Sequence, residues 1–322
     1  MVVVLSYIKN YDFQKIDLLS LNINELTLLM NKFGYKSYRA KQLFFSLHKK
    51  CITDLEQIKC FPIDLCRTLK KLCMILPLRI MDILISNDGS RKYIFKCFDG
   101  NLIETVFIPG FLYSYKNALC ISSQVGCCMN CSFCATGKMG FRRNLLPSEI
   151  LNQIYVVLRD LIKIKSCENV FKNHLFNNSR IINNIVYMGM GEPLHNYNNV
   201  TKSIELLMHE KGQLYSYRNI TVSTSGIVKN INRLWHTKVN LAISLNAADN
   251  LTRDSIMPIN KKWNIKKLLN ACKQYSLSNR KIVTFVYIMI SGLNDSDLDA
   301  KKLANLLINF KAKINLIPYI II

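Results

Sequence analysis

Apolar residues recur along the chain in three successive patterns, and each predicts a different kind of structure. Between residues 20 and 70 the spacing is helical. Asn24 precedes Leu26, Leu28, Leu29 and Phe33, and the run ends at Gly34. Ser37 stands where it can cap a second helix carrying Ala40, Leu43, Phe44 and Leu47. Thr53 and Glu56 have capping-box spacing ahead of a third. Residues 79–108 change to β character. Asp88-Gly89 and Asp99-Gly100 are hairpin turn signals separating residues 80–86, 92–98 and 102–108, which predicts a three-stranded meander. From Leu119 onward strands alternate with helices. The predicted strands are 119–125, 185–190, 220–225, 239–245, 282–290 and 314–318; helices between them include 147–162, 198–208, 265–275 and 297–310. Pro147 suits a first helical turn. Six strands with intervening helices predict a parallel α/β sheet. The polar, Asn-rich stretch 163–184 reads as a loop, and no repeat recurs at a fixed period.

Composition narrows the partners. A chain of 322 residues, half of them hydrophobic, can build one large domain with a small one attached. Lys and Arg number 43 against 21 Asp and Glu, a formal charge of +22 that attracts polyanions such as RNA, DNA or an anionic membrane surface. Lys, Asn and Ile are abundant throughout, as an AT-rich genome would produce, so charge alone does not name the partner. A membrane-spanning helix needs about 20 apolar residues. The apolar stretch 72–85 is cut by Pro77, Arg79 and Asp82, and residues 1–8 lack the basic start and cleavage site of a signal peptide. The expected location is the cytoplasm.

Twelve cysteines change the picture further. In a cytoplasmic chain, clustered cysteines suggest metal or redox chemistry rather than disulfides. Eight, such as Cys51, Cys66 and Cys272, are scattered and read as small buried hydrophobes. The other four are Cys127, Cys128, Cys131 and Cys134, directly after the first strand of the α/β part. Cys127, Cys131 and Cys134 form C-x3-C-x2-C. Three thiolates can bind three irons of a 4Fe–4S cubane and leave one iron open to a small molecule, by the logic that separates catalytic from structural zinc sites. Cys128 leaves a second reading, C-x2-C-x2-C, as in ferredoxin-like sites. A zinc site would need a further Cys or His, and none lies near at such a spacing. Three later strand ends carry polar or glycine-rich turns: Gly189-Met190-Gly191-Glu192-Pro193, Ser223-Thr224-Ser225-Gly226 and Ser244-Leu245-Asn246. Glycine lets backbone approach a ligand, Glu192 can accept from an ammonium, and ligands of α/β folds sit at the carboxyl ends of strands.

With these residues in view, the chain resembles the RlmN-type adenine-C2 methyltransferases of 23S rRNA and tRNA, which are radical S-adenosylmethionine (SAM) enzymes. The resemblance covers residues 16–319. It rests on Ser37-Tyr38-Arg39-Ala40-Lys41-Gln42, Ile103-Glu104-Thr105-Val106, and Cys120-Ile121-Ser122-Ser123-Gln124-Val125-Gly126-Cys127. The strand-end motifs match too, with Pro258-Ile259-Asn260-Lys261-Lys262 and Ile314-Asn315-Leu316-Ile317-Pro318. It implies a helical RNA-binding domain (residues 1–75), a β-meander adaptor (76–115) and an incomplete (β/α)6 radical SAM barrel (116–322). It further implies that Cys127, Cys131 and Cys134 ligate the cluster, and that Gly191, Glu192, Ser223, Ser244, Leu245 and Asn246 line SAM. Glu104 would be the active-site base, and Cys120 the thiol that resolves a covalent protein–RNA intermediate. The implied partners are 23S rRNA, tRNA and an electron donor such as flavodoxin or ferredoxin, with the protein a monomer. In the implied chemistry one SAM methylates a cysteine near the family's C-terminus. A second SAM yields the radical that activates that methyl group for addition to carbon 2, which is too weak a nucleophile for ordinary methyl transfer.

The match has departures. Asn246 stands where His is usual, and Val286 where the family has Glu. Ile320 stands where an Asn contact to SAM is expected, and no cysteine follows Cys272. The family's methyl-carrying cysteine belongs beyond the last strand, so a frameshift or truncation is expected, leaving SAM cleavage without methyl transfer. The alternatives are a Cfr-like relative acting on carbon 8 and a non-catalytic RNA-binding remnant.

Overall fold

The computed structural model describes residues 15–76, 78–110, 116–167 and 180–320. It begins with β1 (Ile16–Asp17), followed by helices α1 (Ile23–Lys32), α2 (Tyr38–His48) and α3 (Ile63–Leu72); β2 (Cys73–Met74) then returns parallel to β1. The helices match the predicted pattern, but their starts do not. Asn22, not Asn24, caps α1, accepting from the Glu25 N–H while the Glu25 carboxylate accepts from its own. Such reciprocal caps contribute about 1 kcal/mol. Ser37 makes no side-chain cap bond because its own backbone is already helical. Thr53 and Glu56 open no helix: Asp54 caps a single 3-10 turn there, and α3 starts only after Pro62.

The rest of the chain builds one nine-stranded sheet with two edges. Strands β3 (Arg79–Ile85), β4 (Arg91–Lys96) and β5 (Leu102–Ile108) form the antiparallel meander. β5 continues antiparallel onto β6 (Ala118–Cys120), so a boundary at residues 115/116 falls between two hydrogen-bonded strands. From β6 the strands run parallel in chain order: β9 (Asn184–Tyr187), β10 (Ile220–Thr224), β11 (Asn240–Ser244), β12 (Val283–Met289) and β13 (Ala312–Pro318). The predicted strand 119–125 is in fact two. After β6 the chain leaves the sheet because the backbone of Ser122 bonds to a side chain: its N–H donates to Gln153 Oε1 (2.7 Å), and its carbonyl accepts from Gln153 Nε2 (3.0 Å). β7 (Gln124–Gly126) then pairs with β8 (Phe141–Asn144), a hairpin-like pair with a four-residue helix, α4 (Ala135–Lys138), between its strands.

Helices α5 (Pro147–Cys167), α6 (Tyr197–Met208), α7 (Val228–Leu234), α8 (Asn250–Ile256), α9 (Ile265–Asn279) and α10 (Asp297–Leu307) lie between the parallel strands. α7 and α8 have seven residues each, too few to show a helical period in the sequence. Part of the stretch read as a loop, residues 163–167, continues α5, and residues 168–179 lie outside the described residues. The N-terminal helices dock on α5 and α6. Buried His48 Nδ1 meets Tyr155 Oη at 3.0 Å, Lys202 Nζ reaches Glu25 at 2.8 Å, and Arg159 donates to the Cys51 carbonyl. Among the described residues no helix is long and apolar enough to cross a membrane.

Candidate active site

Strand register decides which side chains share a face, since paired residues point the same way and the period is two. Val106 is opposite Cys120, Cys120 opposite Val186, and Val186 opposite Thr221. Ser223, two residues on, is opposite Ala242, and Ser244, two further, is opposite Val286. Glu104 precedes Val106 by two. Glu104, Cys120, Ser223 and Ser244 therefore lie on one face, partly exposed, while Leu119, Ile185, Val222, Leu241 and Phe285 on the other face are buried.

At the carboxyl end of this face lies the cysteine loop. Two glycines fix its stems. Gly126 has φ +72°, and a Cβ there would lie 1.7 Å from the Gly140 carbonyl oxygen; Gly191 has φ +95°, and its Cβ would meet Gln124 Cβ at 2.4 Å. Gln124 ties the two turns together. It accepts from the Glu192 N–H (2.8 Å) and donates to Asn144 Oδ1 (2.7 Å) and His195 Nδ1 (2.9 Å). Inside the loop the Cys127 N–H donates to the Gly140 carbonyl, and the Cys134 N–H to that of Cys131. Cys127 and Cys131 are buried and Cys134 half-buried, whereas Cys128 is exposed with Sγ 3.6 Å from His195 Nδ1. Burial pushes the thiols of Cys127 and Cys131 up to about 12, and the Cys134 thiol nearby adds to the rise in both.

This donor set fits a cubane held by Cys127, Cys131 and Cys134, with Cys128 turned outward. Among the described residues no three His, Cys, Asp or Glu side chains converge as around a single ion. A cubane asks for no such convergence, because each thiolate takes its own iron.

The strand ends hold their residues differently from one another. Glu192 is buried and its carboxylate is fully engaged within the protein. It accepts from the Leu194 N–H (3.0 Å), Thr224 Oγ1 (2.7 Å), and both the N–H and Oγ of Ser225 (2.7 and 2.8 Å). Burial raises its pKa and these bonds oppose the rise. Its side chain thus joins β9 to β10, and its backbone is engaged too, the N–H with Gln124 and the carbonyl with the His195 N–H. Asn246 is also fully buried, with a left-handed backbone; its Oδ1 accepts from the Ile288 N–H (2.9 Å). Leu245 is buried as well, with its N–H donating to the Val286 carbonyl and its own carbonyl accepting from Arg253 Nε. Ser223 and Ser244 keep partly exposed side chains.

Glu104 sits exposed beside Lys92, with Oε1 3.6 Å from Nζ. Its strand is pinned from below. Ser122 Oγ donates to the Glu104 carbonyl (2.5 Å) and accepts from the Met190 N–H (2.9 Å), while Thr105 Oγ1 donates to Gln153 Oε1 (2.7 Å). Burial pushes the partly exposed Cys120 thiol up to about 11, so it is protonated at neutral pH. Alkylation of Cys120 by iodoacetamide should therefore rise about tenfold per pH unit from 7 to about 10, followed by peptide mass spectrometry; a rate already level at pH 8 would contradict this. Cys272, by contrast, is fully buried on α9.

The sequence reading missed Gln153 and Arg253, which organise the site without lying in a recognisable spacing, and assigned no role to Gln124 although it stands within the motif 120–127. Arg253 is fully buried on α8, between the strand-end motif at Asn246 and the Pro258-Ile259-Asn260 motif, and bonds to parts of both.

Comparison with known proteins places this geometry. The radical SAM superfamily model matches residues 121–304. The chain is 43% identical over 311 residues to the dual-specificity RNA methyltransferase RlmN of Desulfotalea psychrophila, covering 95% of this chain and 82% of that one. It is 41% identical over 306 residues to RlmN 2 of Myxococcus xanthus, covering 94% and 78%. A solved radical SAM methyltransferase from Sphaerobacter thermophilus superposes with a TM-score of 0.85 at 36% identity, over 94% of this chain and 85% of that one. With the cysteine loop and strand ends in the same frame, the chain belongs to the RlmN family of dual-specificity RNA methyltransferases in the radical SAM superfamily, whose cofactors are a three-cysteine 4Fe–4S cluster and SAM.

Proposed function

We propose that the protein methylates carbon 2 of adenine in 23S rRNA and tRNA. The observation that carries this is the shared sheet face: Glu104 and Cys120 lie on it on adjacent strands, with Val106, two residues on from Glu104, directly opposite Cys120. In this reading the six parallel strands are an incomplete (β/α)6 barrel, and the meander belongs to its wall. A 4Fe–4S cluster held by Cys127, Cys131 and Cys134 would, together with SAM, supply the radical chemistry. Residues of this chain would supply the cluster ligands, the SAM contacts, the base and the resolving thiol; the methyl-carrying cysteine that the family places beyond the last strand is not among residues 1–322. The three thiolates fix the cluster, Ser223 and Ser244 donate hydroxyls to SAM, and the turns at Gly191-Glu192 and Leu245-Asn246, their backbone bonds already made within the protein, shape the wall beside it. Glu104 takes the proton from carbon 2 once the new bond has formed, and the Cys120 thiol resolves the covalent link to RNA. Electrons come from a small donor such as flavodoxin or ferredoxin, and the enzyme works as a monomer.

The N-terminal helices suit the RNA. Tyr38 and Phe45 are exposed one above the other on α2, with Arg39 4.8 Å from the Tyr38 ring centre and Lys50 5.7 Å from that of Phe45. Exposed rings beside cations are what unpaired bases and their phosphates bind.

The test is an anaerobic reaction with methyl-labelled SAM and an unmodified 23S rRNA fragment or tRNA, read by mass spectrometry of digested nucleosides. Expected is 2-methyladenosine above the no-enzyme control, reduced about 100-fold in Glu104→Gln, the usual scale for losing a general base. Appearance of 8-methyladenosine instead would overturn the carbon 2 assignment. Formation of 5′-deoxyadenosine with no methylated adenosine would show that residues 1–322, with no cysteine after Cys272, cleave SAM but do not complete the transfer.

A further inference from the structure

Arg253 is the largest fully buried side chain in the protein's described residues, and it has no carboxylate partner. All its bonds are to neutral oxygens. Nε donates to the Leu245 carbonyl (2.9 Å), Nη1 to Asn260 Oδ1 (2.9 Å), and Nη2 to the carbonyls of Ser225 (2.7 Å) and Ser244 (3.1 Å). These are the carboxyl ends of β10 and β11, where SAM is read to bind. An unpaired buried cation costs several kcal/mol, and hydrogen bonds to carbonyls offset only part of that. Burial lowers the guanidinium pKa to about 10, which still leaves it charged at neutral pH.

The missing counter-charge has an address. α8, which carries Arg253, runs straight into the cysteine loop. The carbonyl of its last residue, Ile256, accepts from the Ser132 N–H (3.0 Å). Ile256 and Met257 pack on Cys131 in a small apolar cluster of their own, with Met129, Phe133 and Cys134 around it. Asp254 is bonded to Asn260 rather than to Arg253, at 2.8 Å.

We propose that Arg253 is the buried counter-charge of the iron–sulfur site and a positioning residue for the strand ends that hold SAM. This rests on the reading that Cys127, Cys131 and Cys134 hold the cluster. A cubane with three thiolates is anionic and gains one more negative charge on reduction. A fixed cation behind Cys131, screened from water, favours the reduced form. The same guanidinium keeps the carbonyls of Ser225, Ser244 and Leu245 in one cradle. The two roles are separable, because Lys keeps the charge without the planar fork and Met keeps neither.

The full chain, anaerobically reconstituted, is compared as wild type, Arg253→Lys and Arg253→Met. Iron and sulfide per chain are measured, with reduction potential from EPR-monitored titration and SAM affinity from its perturbation of the EPR signal. Arg253→Met is expected to keep its iron but show a reduced-to-oxidised ratio about tenfold lower at fixed ambient potential, which is about 59 mV for one electron. Arg253→Lys should hold the wild-type potential, and both variants should bind SAM about tenfold more weakly. If Arg253→Met does not accumulate folded, Arg253→Gln drops the charge while keeping donors and carries the same comparison. A wild-type potential in the neutral variant, or an equal fall in Arg253→Lys, overturns the counter-charge. Loss of iron from folded Lys and neutral variants alike also overturns it, leaving a structural role. Failure of the cluster assignment would show separately, as a Cys131→Ala chain that retains its iron.

Discussion

Iron and sulfide in the anaerobically reconstituted protein should fall to background when Cys127, Cys131 or Cys134 is replaced by Ala, and stay at the wild-type level in Cys128→Ala. Spacing alone left two triads open, because Cys128, Cys131 and Cys134 also form a recognised iron–sulfur spacing. Geometry separates them. Cys127 is buried, anchored through its N–H to the Gly140 carbonyl, and packed where Gly126 admits no side chain. Cys128 is the exposed member, turned to His195. With only two thiolates remaining a cubane loses one of three anchors and becomes labile, so the loss should be nearly complete rather than partial. Colorimetric iron and sulfide assays with the absorption spectrum decide it. A Cys128→Ala protein without iron, beside a Cys127→Ala protein that keeps it, would reverse the assignment.

Gln153→Leu should be the most damaging single change outside the cysteine loop. Gln153 serves four partners in the core beneath Glu104: Thr105 Oγ1, the Ser122 N–H, the Ser122 carbonyl and, at 3.3 Å, the Glu149 carbonyl. Leu fills a similar volume but leaves two backbone groups and a hydroxyl buried without partners. At about 1–3 kcal/mol for each of the three orphaned groups, the expected loss is about 3–9 kcal/mol. The midpoint of urea denaturation measures it. Because Ser122 Oγ also bonds to the Glu104 carbonyl, activity should fall even at temperatures where the variant stays folded. An unchanged midpoint would show that water or a rotated Ser122 replaces the amide at little cost.

Much of this was legible in the sequence because the signals were local. The meander announced itself through two Asp-Gly turns, and the parallel strands through short apolar runs ending in small polar residues. The cysteine loop needed only eight consecutive residues. What escaped was everything made by pairing at a distance. No local pattern says that Ser122 gives its backbone bonds to Gln153, and so the strand at 119–125 was read through its break. The same holds for Glu192. Its position in the motif marked it as a ligand for an ammonium, yet its carboxylate is taken up by Thr224, Ser225 and Leu194, partners that only the fold brings to it. Arg253 escaped because a buried arginine looks like any surface one until its surroundings are known.

The junction of β5 with β6 has a mechanical consequence. Glu104 lies on the meander and Cys120 on the first parallel strand, and the ladder between Val106–Ile108 and Ala118–Cys120 bolts the two together. No hinge can open between base and thiol without tearing a sheet. Whatever motion admits a folded RNA must therefore belong to the surroundings, while Glu104 and Cys120, the two groups proposed to handle the adenine, travel as one rigid body.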